Sequence, residues 1–128
     1  MISHADERPM YLQLIEQVQH RIAVGDWAPG HELPSIRALA AELSVSVITV
    51  KRAYLELERA GIIVTRQGRG SFVAERAELG LELHRRELEA HLAAAVEVGQ
   101  RLGLSVKELG AELRRVAALR EDAGEEES

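Results

Sequence analysis

The spacing of apolar residues predicts three helices in the first half of the chain. Apolar residues recur at intervals of three and four over residues 10–24, and this helix would bury a stripe formed by Tyr11, Leu12, Leu14, Ile15, Val18 and Ile22. A second, short helix is predicted over residues 35–43 and a third over residues 47–60. Ser35 and Ser46 precede these two helices, and serine is a preferred N-cap residue. The short polar segment between them indicates a helix-turn-helix.

Beyond Gly61 the pattern changes from helical to strand-like. Residues 62–65 and 71–74 are β-prone, and the glycine-containing segment 66–70 lies between them. Two short strands joined in this way predict a β-hairpin. Three helices and a hairpin make residues 1–75 a winged helix-turn-helix domain in this interpretation. Its predicted core includes Leu33, Leu39, Val50, Tyr54, Leu55, Leu57 and Phe72.

The remaining residues, 76–128, predict a tail of two helices. Apolar residues repeat every seven positions in the first of them, and Gly103 interrupts it. Ser105 and Glu108 then have the spacing of a capping box, which starts the next helix. Residues 122–128 are acidic and small, and we predict that they are disordered. The predicted fold is therefore mainly α with a small β-hairpin: an N-terminal winged helix-turn-helix followed by a two-helix dimerisation tail.

The apolar stripes of the tail are the basis for predicting a dimer. One tail folded onto its own N-terminal domain would bury a single face of each helix, whereas two tails packed together would bury both stripes. Joining two binding domains in this way also multiplies the affinity of one domain for a symmetric partner. The residues predicted to form this interface are Leu81, Leu88, Leu92, Ala95, Leu102, Val106, Leu109, Leu113 and Val116.

Composition and charge limit the classes of function. The net charge is −5, which argues against a general positive field, but residues 76–128 carry −4 of it whereas residues 31–73 carry +2. The chain has no cysteine, which excludes disulfides and thiolate sites. No apolar run approaches the roughly 20 residues that span a bilayer, and residues 1–7 lack the pattern of a signal peptide. We therefore expect a cytoplasmic protein with no membrane contact.

The histidines and carboxylates do not form a recognisable metal or catalytic site. His84 and His91 lie on one predicted helix, but about 10 Å apart along its axis, which is too far for one ion. His91 with Glu87 is a pair that is common on helix surfaces, and it lacks further ligands. We find no nucleophile–base pair or phosphate-binding loop. The sequence predicts no metal, no cofactor and no enzymatic activity.

The chemistry of the third helix points to DNA. In a helix-turn-helix the second helix of the pair enters the major groove, and its first turns contact the bases. Thr49 and Lys51 offer polar groups to base edges and phosphates, and Val47 and Ile48 offer apolar contacts to thymine methyl groups. Helix N-termini and a cationic hairpin tip add phosphate and minor-groove contacts. The predicted DNA-binding residues are Ser35, Arg37, Ser46, Val47, Ile48, Thr49, Lys51, Arg52, Arg66, Gly68, Arg69 and Gly70.

Several of the cations also have structural interpretations. For Arg52 and Arg66 the two interpretations carry similar weight. Arg59 is interpreted as a partner of Glu56 or Glu58 on a solvated helix face. The favoured DNA contacts are therefore those of Arg37, Thr49, Lys51 and Arg69.

The order of these segments resembles the GntR family of bacterial regulators over residues 8–75. The resemblance rests on Tyr11-Leu12-Gln13-Leu14-Ile15, Leu33-Pro34-Ser35-Ile36-Arg37, Val45-Ser46-Val47-Ile48-Thr49-Val50-Lys51-Arg52-Ala53-Tyr54 and Gly68-Arg69-Gly70-Ser71-Phe72-Val73. The Ser-Val-Ile-Thr pattern and the short tail look like the YtrA subgroup, in which two tail helices serve dimerisation. The resemblance implies DNA contacts at Arg37, Thr49, Lys51 and Gly68. Val47 departs from the family pattern, since many members carry a base-contacting arginine there.

Together these observations predict a sequence-specific DNA-binding transcriptional regulator, acting as a homodimeric repressor of a neighbouring operon. The resemblance implies a transporter operon as a target. The alternative is a winged-helix module that binds proteins rather than DNA, which the net charge would suit. The short tail favours either no small-molecule effector or one bound between subunits.

Overall fold

The computed structural model describes the backbone of residues 8–127 and the side chains of residues 8–121. Its contacts divide the chain into two units, with the division after His84. The first unit contains the helices and strands α1 (Met10–Ala23), α2 (Ile36–Leu43), α3 (Val47–Arg59), β1 (Ile63–Arg66), β2 (Gly70–Val73) and the start of α4 (Ala77–Arg101). The second contains the rest of α4 and α5 (Val106–Glu127). Residues 1–7, for which we predict no signal peptide, lie outside the described residues.

The core of the first unit is formed by one face of each helix and by the hairpin. Its buried apolar residues are Leu14, Val18, Ile22, Leu33, Leu39, Ala40, Val50, Ala53, Tyr54, Leu57, Ile62, Ile63, Val73 and Ala77. Spacing by four places Leu14, Val18 and Ile22 along one line of α1. Removing such a side chain from water contributes about 1.5–3 kcal/mol, and this packing holds the three helices together.

Three residues of the predicted apolar faces are more exposed than expected. Leu12 is 37% exposed and Leu55 is 43% exposed. Each precedes a buried leucine, Leu14 or Leu57, by two positions, and two positions turn a helix by about 200°. The two exposed leucines therefore lie on the faces opposite the core. Phe72 is only partly buried, because side chains alternate along a strand and the next residue of β2 takes the buried position.

The hairpin forms an antiparallel pair whose register runs from Ile63 opposite Val73 to Arg66 opposite Gly70. A third segment joins it through a bridge between Glu32 and Phe72, which the sequence did not predict. The N–H of Leu33 bonds the carbonyl of Ser71 at 2.8 Å. The segment before α2 is thus fixed to the hairpin, which we call the wing (residues 63–73).

The first turns of α4 belong to the first unit. Ala77 is buried in its core, and Leu81 is partly buried against the same core. The first unit thus extends to His84, beyond the boundary after residue 75 that the sequence predicts. The cause is a close approach of helices: a Cβ atom built on Gly80 would lie 2.7 Å from the carbonyl oxygen of Ala60. Leu81, which we predicted as a dimerisation residue, packs partly against the core of this unit, and its part in a dimer stays a prediction.

The second unit is a pair of helices with a capped turn. Gly103 follows α4 with φ +75°, a conformation that glycine adopts readily. The predicted capping box is present: Ser105 N–H donates to Glu108 Oε1 at 3.0 Å, and Glu108 N–H donates to Ser105 Oγ at 3.2 Å. The bond from the Ser105 N–H and a bond from the Ser105 side chain lower the pKa of the Glu108 carboxyl. The backbone of α5 extends to Glu127, and the disorder of residues 122–128 stays a prediction.

Candidate nucleic-acid interface

The turn between α2 and α3 sets the angle between the two helices of the motif. Ser44 ends α2 in the left-handed conformation, with φ 55°. The N–H of Val45 then bonds the carbonyl of Ala40 at 3.0 Å, and the Val45 side chain packs against the core. The left-handed conformation of Ser44 and the packing of the Val45 side chain thus set the direction in which α3 begins.

Both helices of the motif begin at a serine that caps them, as predicted. Ser35 Oγ accepts a hydrogen bond from the N–H of Ala38, and Ser46 Oγ accepts one from the N–H of Thr49, each at 3.1 Å. A helix has four N–H groups without a partner in its first turn, and each cap satisfies one of them. The other N–H groups give each helix start a positive end that suits a phosphate.

A buried tyrosine fixes α3 to the segment before α2. Tyr54 is 4% exposed, and its hydroxyl donates to the carbonyl of Pro34 at 2.7 Å. Burial raises the pKa of Tyr54 to about 12. The bond lies directly before the N-cap of α2, so it positions the start of α2 relative to α3.

Tyr54→Phe is expected to lower the free energy of unfolding by about 1 kcal/mol, because the buried Pro34 carbonyl loses its donor. The wild-type protein loses stability as the pH rises from 10.0, the ordinary pKa of this phenol, through about 12, since only the unfolded chain ionises easily in that window. The variant lacks this ionisation. Urea unfolding should therefore show that the two proteins differ less in free energy of unfolding at pH 11 than at pH 8. An equal difference at both values would contradict this role.

The first turn of α3 presents an apolar surface to solvent. Val47 is 46% exposed and Ile48 is 60% exposed. The hydroxyls of Ser46 and Thr49 lie 2.7 Å apart and bond each other. Among the predicted contacts in this turn, the apolar side chains are accessible and the hydroxyls are already engaged.

The cations of the motif fall into two groups. Arg37 and Lys51 are exposed and have no ion-pair partner among the described side chains. The guanidinium of Arg52 instead lies over the ring of Tyr11, 3.8 Å from its centroid, where it links α3 to α1. Arg59 pairs with Glu56 at 3.1 Å, in agreement with the sequence interpretation.

The wing carries its predicted cations at an exposed turn. Arg69 is exposed, and its N–H bonds the carbonyl of Arg66 at 2.9 Å, which closes the turn. Gly68 has φ +77°, as this turn requires. The Arg66 guanidinium lies 5.7 Å from the ring centroid of Phe72, so this side chain runs back along the wing.

The structure gives a reason for glycine at position 70 that the sequence did not reveal. Its φ is +120°, and a Cβ atom at this position would lie 3.1 Å from Glu32 Oε1. We predicted Gly70 as a point of close approach to DNA, and its positive φ already favours glycine at this position. Sequence reasoning missed the contacts of Glu32 and Tyr11 at this surface. Glu32 lies beside Gly70 and Tyr11 lies beneath Arg52 only because the fold brings distant segments together.

The apolar residues of the tail remain largely exposed in the single chain. Leu109 is the exception: it packs against α4, where a Cβ atom on Gly99 would lie 3.4 Å from its Cδ1. The exposed predicted dimerisation residues are Leu88, Leu92, Ala95, Leu102, Val106, Leu113 and Val116. Further exposed apolar side chains in the second unit are Val96, Val98 and Leu119.

The first unit contains a small cavity. A cavity of about 120 Å³ in the first unit has Gln17, Trp27 and Leu39 among its lining residues, well below the several hundred Å³ of usual ligand pockets. Across the described side chains, no three histidines or carboxylates lie close enough to hold a metal ion. Over the same residues, no helix combines the length and apolarity needed to cross a bilayer.

This geometry agrees with a family assignment. Residues 10–73, from α1 to the end of the wing, match the family model described as bacterial regulatory proteins, gntR family. The chain belongs to the gntR family. The predicted family and the predicted fold are both confirmed.

Two further proteins of the gntR type resemble nearly the whole chain. The transcriptional repressor YtrA of Bacillus subtilis strain 168 is 36% identical over 116 residues, which covers 83% of this chain and 88% of that protein. The structure of YtrA from Sulfolobus acidocaldarius, a GntR-family transcription factor, has a TM-score of 0.59 at 31% identity, covering 92% of this chain and 96% of that one. The likeness therefore includes the tail, and this chain is a YtrA-like gntR regulator.

A second structure shows a related domain with DNA. The DNA-binding domain of AraR in complex with operator ORE1 has a TM-score of 0.52 at 28% identity, covering 58% of this chain and 90% of that one. As a gntR-family member with relatives named as transcriptional regulators, the chain is a DNA-binding transcription regulator and not an enzyme.

Proposed function

We propose that the protein is a homodimeric repressor that occupies an operator beside its own gene, with α3 as the recognition helix in the major groove. The observation that carries this proposal is the exposed start of α3, flanked by two cations without ion-pair partners among the described side chains, Arg37 and Lys51. A transporter operon is the target class that the family resemblance suggests. AraR, which binds an operator through a related domain, supports DNA as the partner.

The electrostatics of the motif favour DNA although the whole chain is acidic. Residues 31–73 carry a net charge of +2, and the excess of acid lies in the tail. Phosphate contacts need cations only where the backbone passes, so local placement decides binding. Arg37 lies in the first turn of α2 and Lys51 in the second turn of α3, beside the positive ends of both helices. Arg69 extends the same surface to the wing tip.

A second copy of the chain is the occupant that we assign to the tail. The exposed stripe repeats every seven residues, from Leu88 through Ala95 on α4 to Leu102 directly after it, which is the period of helices that pack along their length. Leu113 and Val116 continue the apolar surface on α5. A two-fold dimer covers such a surface with its own equivalent, and it places two recognition helices on one symmetric operator.

The test is binding of the purified chain to duplex DNA from upstream of its gene, by fluorescence anisotropy across a salt series. Wild type should bind specifically, with affinity that falls steeply with salt. Arg37→Ala and Lys51→Ala should each weaken binding about tenfold and reduce the salt slope by about 1 for each phosphate that the side chain neutralises. Arg59→Ala is the matched control: it removes the same charge from α3, but from a side chain already paired with Glu56.

Three results would count against the proposal. Equal losses of affinity in Arg59→Ala would mean that binding follows net charge rather than this surface. Unchanged binding in Arg37→Ala and Lys51→Ala would move the interface elsewhere. Failure to bind any DNA at low salt would favour the winged-helix module that binds proteins.

A further inference from the structure

The start of α3 lacks the polar groups that usually distinguish bases. An arginine or asparagine in a recognition helix bonds the edges of guanine or adenine with two hydrogen bonds. The first turn of α3 here begins with Val47 and Ile48, both exposed. The adjacent hydroxyls of Ser46 and Thr49 bond each other at 2.7 Å, so at most one of their two protons is left for another acceptor.

The guanidinium of Arg52, on the turn of α3 that follows, is also engaged. Arg52 lies over the Tyr11 ring at 3.8 Å and is half-buried, so its fork of donors is held against α1. Lys51 is a flexible point charge, which suits a phosphate as well as a base. At the proposed interface, the side chains of α3 with the most fixed geometry are therefore the branched apolar ones of Val47 and Ile48.

We propose that Val47 and Ile48 are specificity-determining residues that recognise thymine through its C5-methyl group. This inference rests on the proposed function, since it requires α3 in the major groove. Thymine alone among the four bases presents a methyl group there. Branched side chains have few χ1 rotamers, so Val47 and Ile48 present their methyl groups with little loss of side-chain entropy. The same surface disfavours cytosine and guanine, whose polar edges would lose water without gaining a partner.

The experiment removes the methyl group and nothing else. The full chain first selects its preferred sites from a random duplex library, with anisotropy as the readout of affinity. Selected duplexes are then synthesised with deoxyuridine in place of one thymine at a time, because deoxyuridine pairs like thymidine but lacks the C5-methyl. We expect a few thymines in each half-site at which wild type loses about fourfold in affinity, the ratio that corresponds to about 0.8 kcal/mol per buried carbon.

Combining the deoxyuridine substitutions with alanine variants shows which side chain contacts each methyl group. Val47→Ala and Ile48→Ala should each bind more weakly and become insensitive to deoxyuridine at the positions they contact, as a double-mutant cycle requires for a direct contact. Val24→Ala is the control, since Val24 is an exposed apolar residue at the end of α1, outside the proposed interface. It should keep the wild-type sensitivity. Both α3 side chains are exposed, so their truncation leaves the core intact, and circular dichroism verifies this.

The outcomes separate this inference from the proposed function. Specific binding with no loss of affinity at any deoxyuridine overturns methyl recognition and leaves the regulator intact. Sensitivity that persists unchanged in both alanine variants assigns the methyl contact to other residues and also overturns it. A library selection that enriches no sequence overturns the proposed function, and this inference with it.

Discussion

Leu92→Asp is expected to dissociate the proposed dimer and to weaken operator binding on the order of 10²- to 10⁴-fold, the range by which joining two binding modules raises affinity. Leu92 lies on the exposed apolar stripe of α4, and it is 44% exposed in the single chain. A two-fold interface would contain the aspartate twice, and each carboxylate would lose water without a partner. Leu92 lies outside the buried core of the first unit, so we expect the effect to fall on association.

Sedimentation equilibrium measures the association, and anisotropy on an operator duplex measures the binding. Val24→Asp is the matched control, because it places the same charge on an exposed apolar residue outside the tail. It should remain a dimer. If Leu92→Asp also remains a dimer at micromolar concentration, the tail stripe is not the interface. If it becomes a monomer but binds the operator as tightly as wild type, dimerisation does not contribute to recognition.

The features that the sequence predicts correctly are encoded over a few neighbouring residues. Ser35, Ser46 and Ser105 each cap a helix by bonding an N–H group three positions later, so the signal is complete within one turn. The change of period beyond Gly61 identifies the wing in the same local way. These signals fix which segments are helix and strand, and through them which surface of the winged helix-turn-helix carries the candidate site.

The features that it misses depend on segments far apart in the chain. Arg52 is predicted equally well as a DNA contact or a structural residue, and only the position of Tyr11 in the fold shows that its guanidinium stacks on a ring. Leu81 fits the seven-residue repeat of the tail, yet it packs against the winged-helix core. Hydrophobic spacing gives the face of a helix, but it does not state which neighbour covers that face.

Gly80→Ala is expected to destabilise the first unit by about 2 kcal/mol, which lowers the melting temperature by roughly 10 °C. Alanine normally improves a helix interior by about 1 kcal/mol relative to glycine. At this position, however, the added Cβ would lie 2.7 Å from the carbonyl oxygen of Ala60 and 3.1 Å from that of Gly61. Both are backbone atoms at the end of α3, so relief requires a shift of a helix, and overpacking of this kind costs about 1–3 kcal/mol or more.

Gly110→Ala is the matched control, because it makes the same substitution in the interior of α5. There the new Cβ would meet only the end of the Arg114 side chain, at 3.8 Å, and the helical gain should appear as increased stability. Far-UV circular dichroism during guanidinium unfolding reports the helices of both units, and the fluorescence of Trp27, the single tryptophan, reports the first unit separately. Opposite signs for the two variants would show that the close approach of α4 to the end of α3, and not helix propensity, requires glycine at position 80. A stability gain in both would mean that α4 does not pack this closely against α3 in solution.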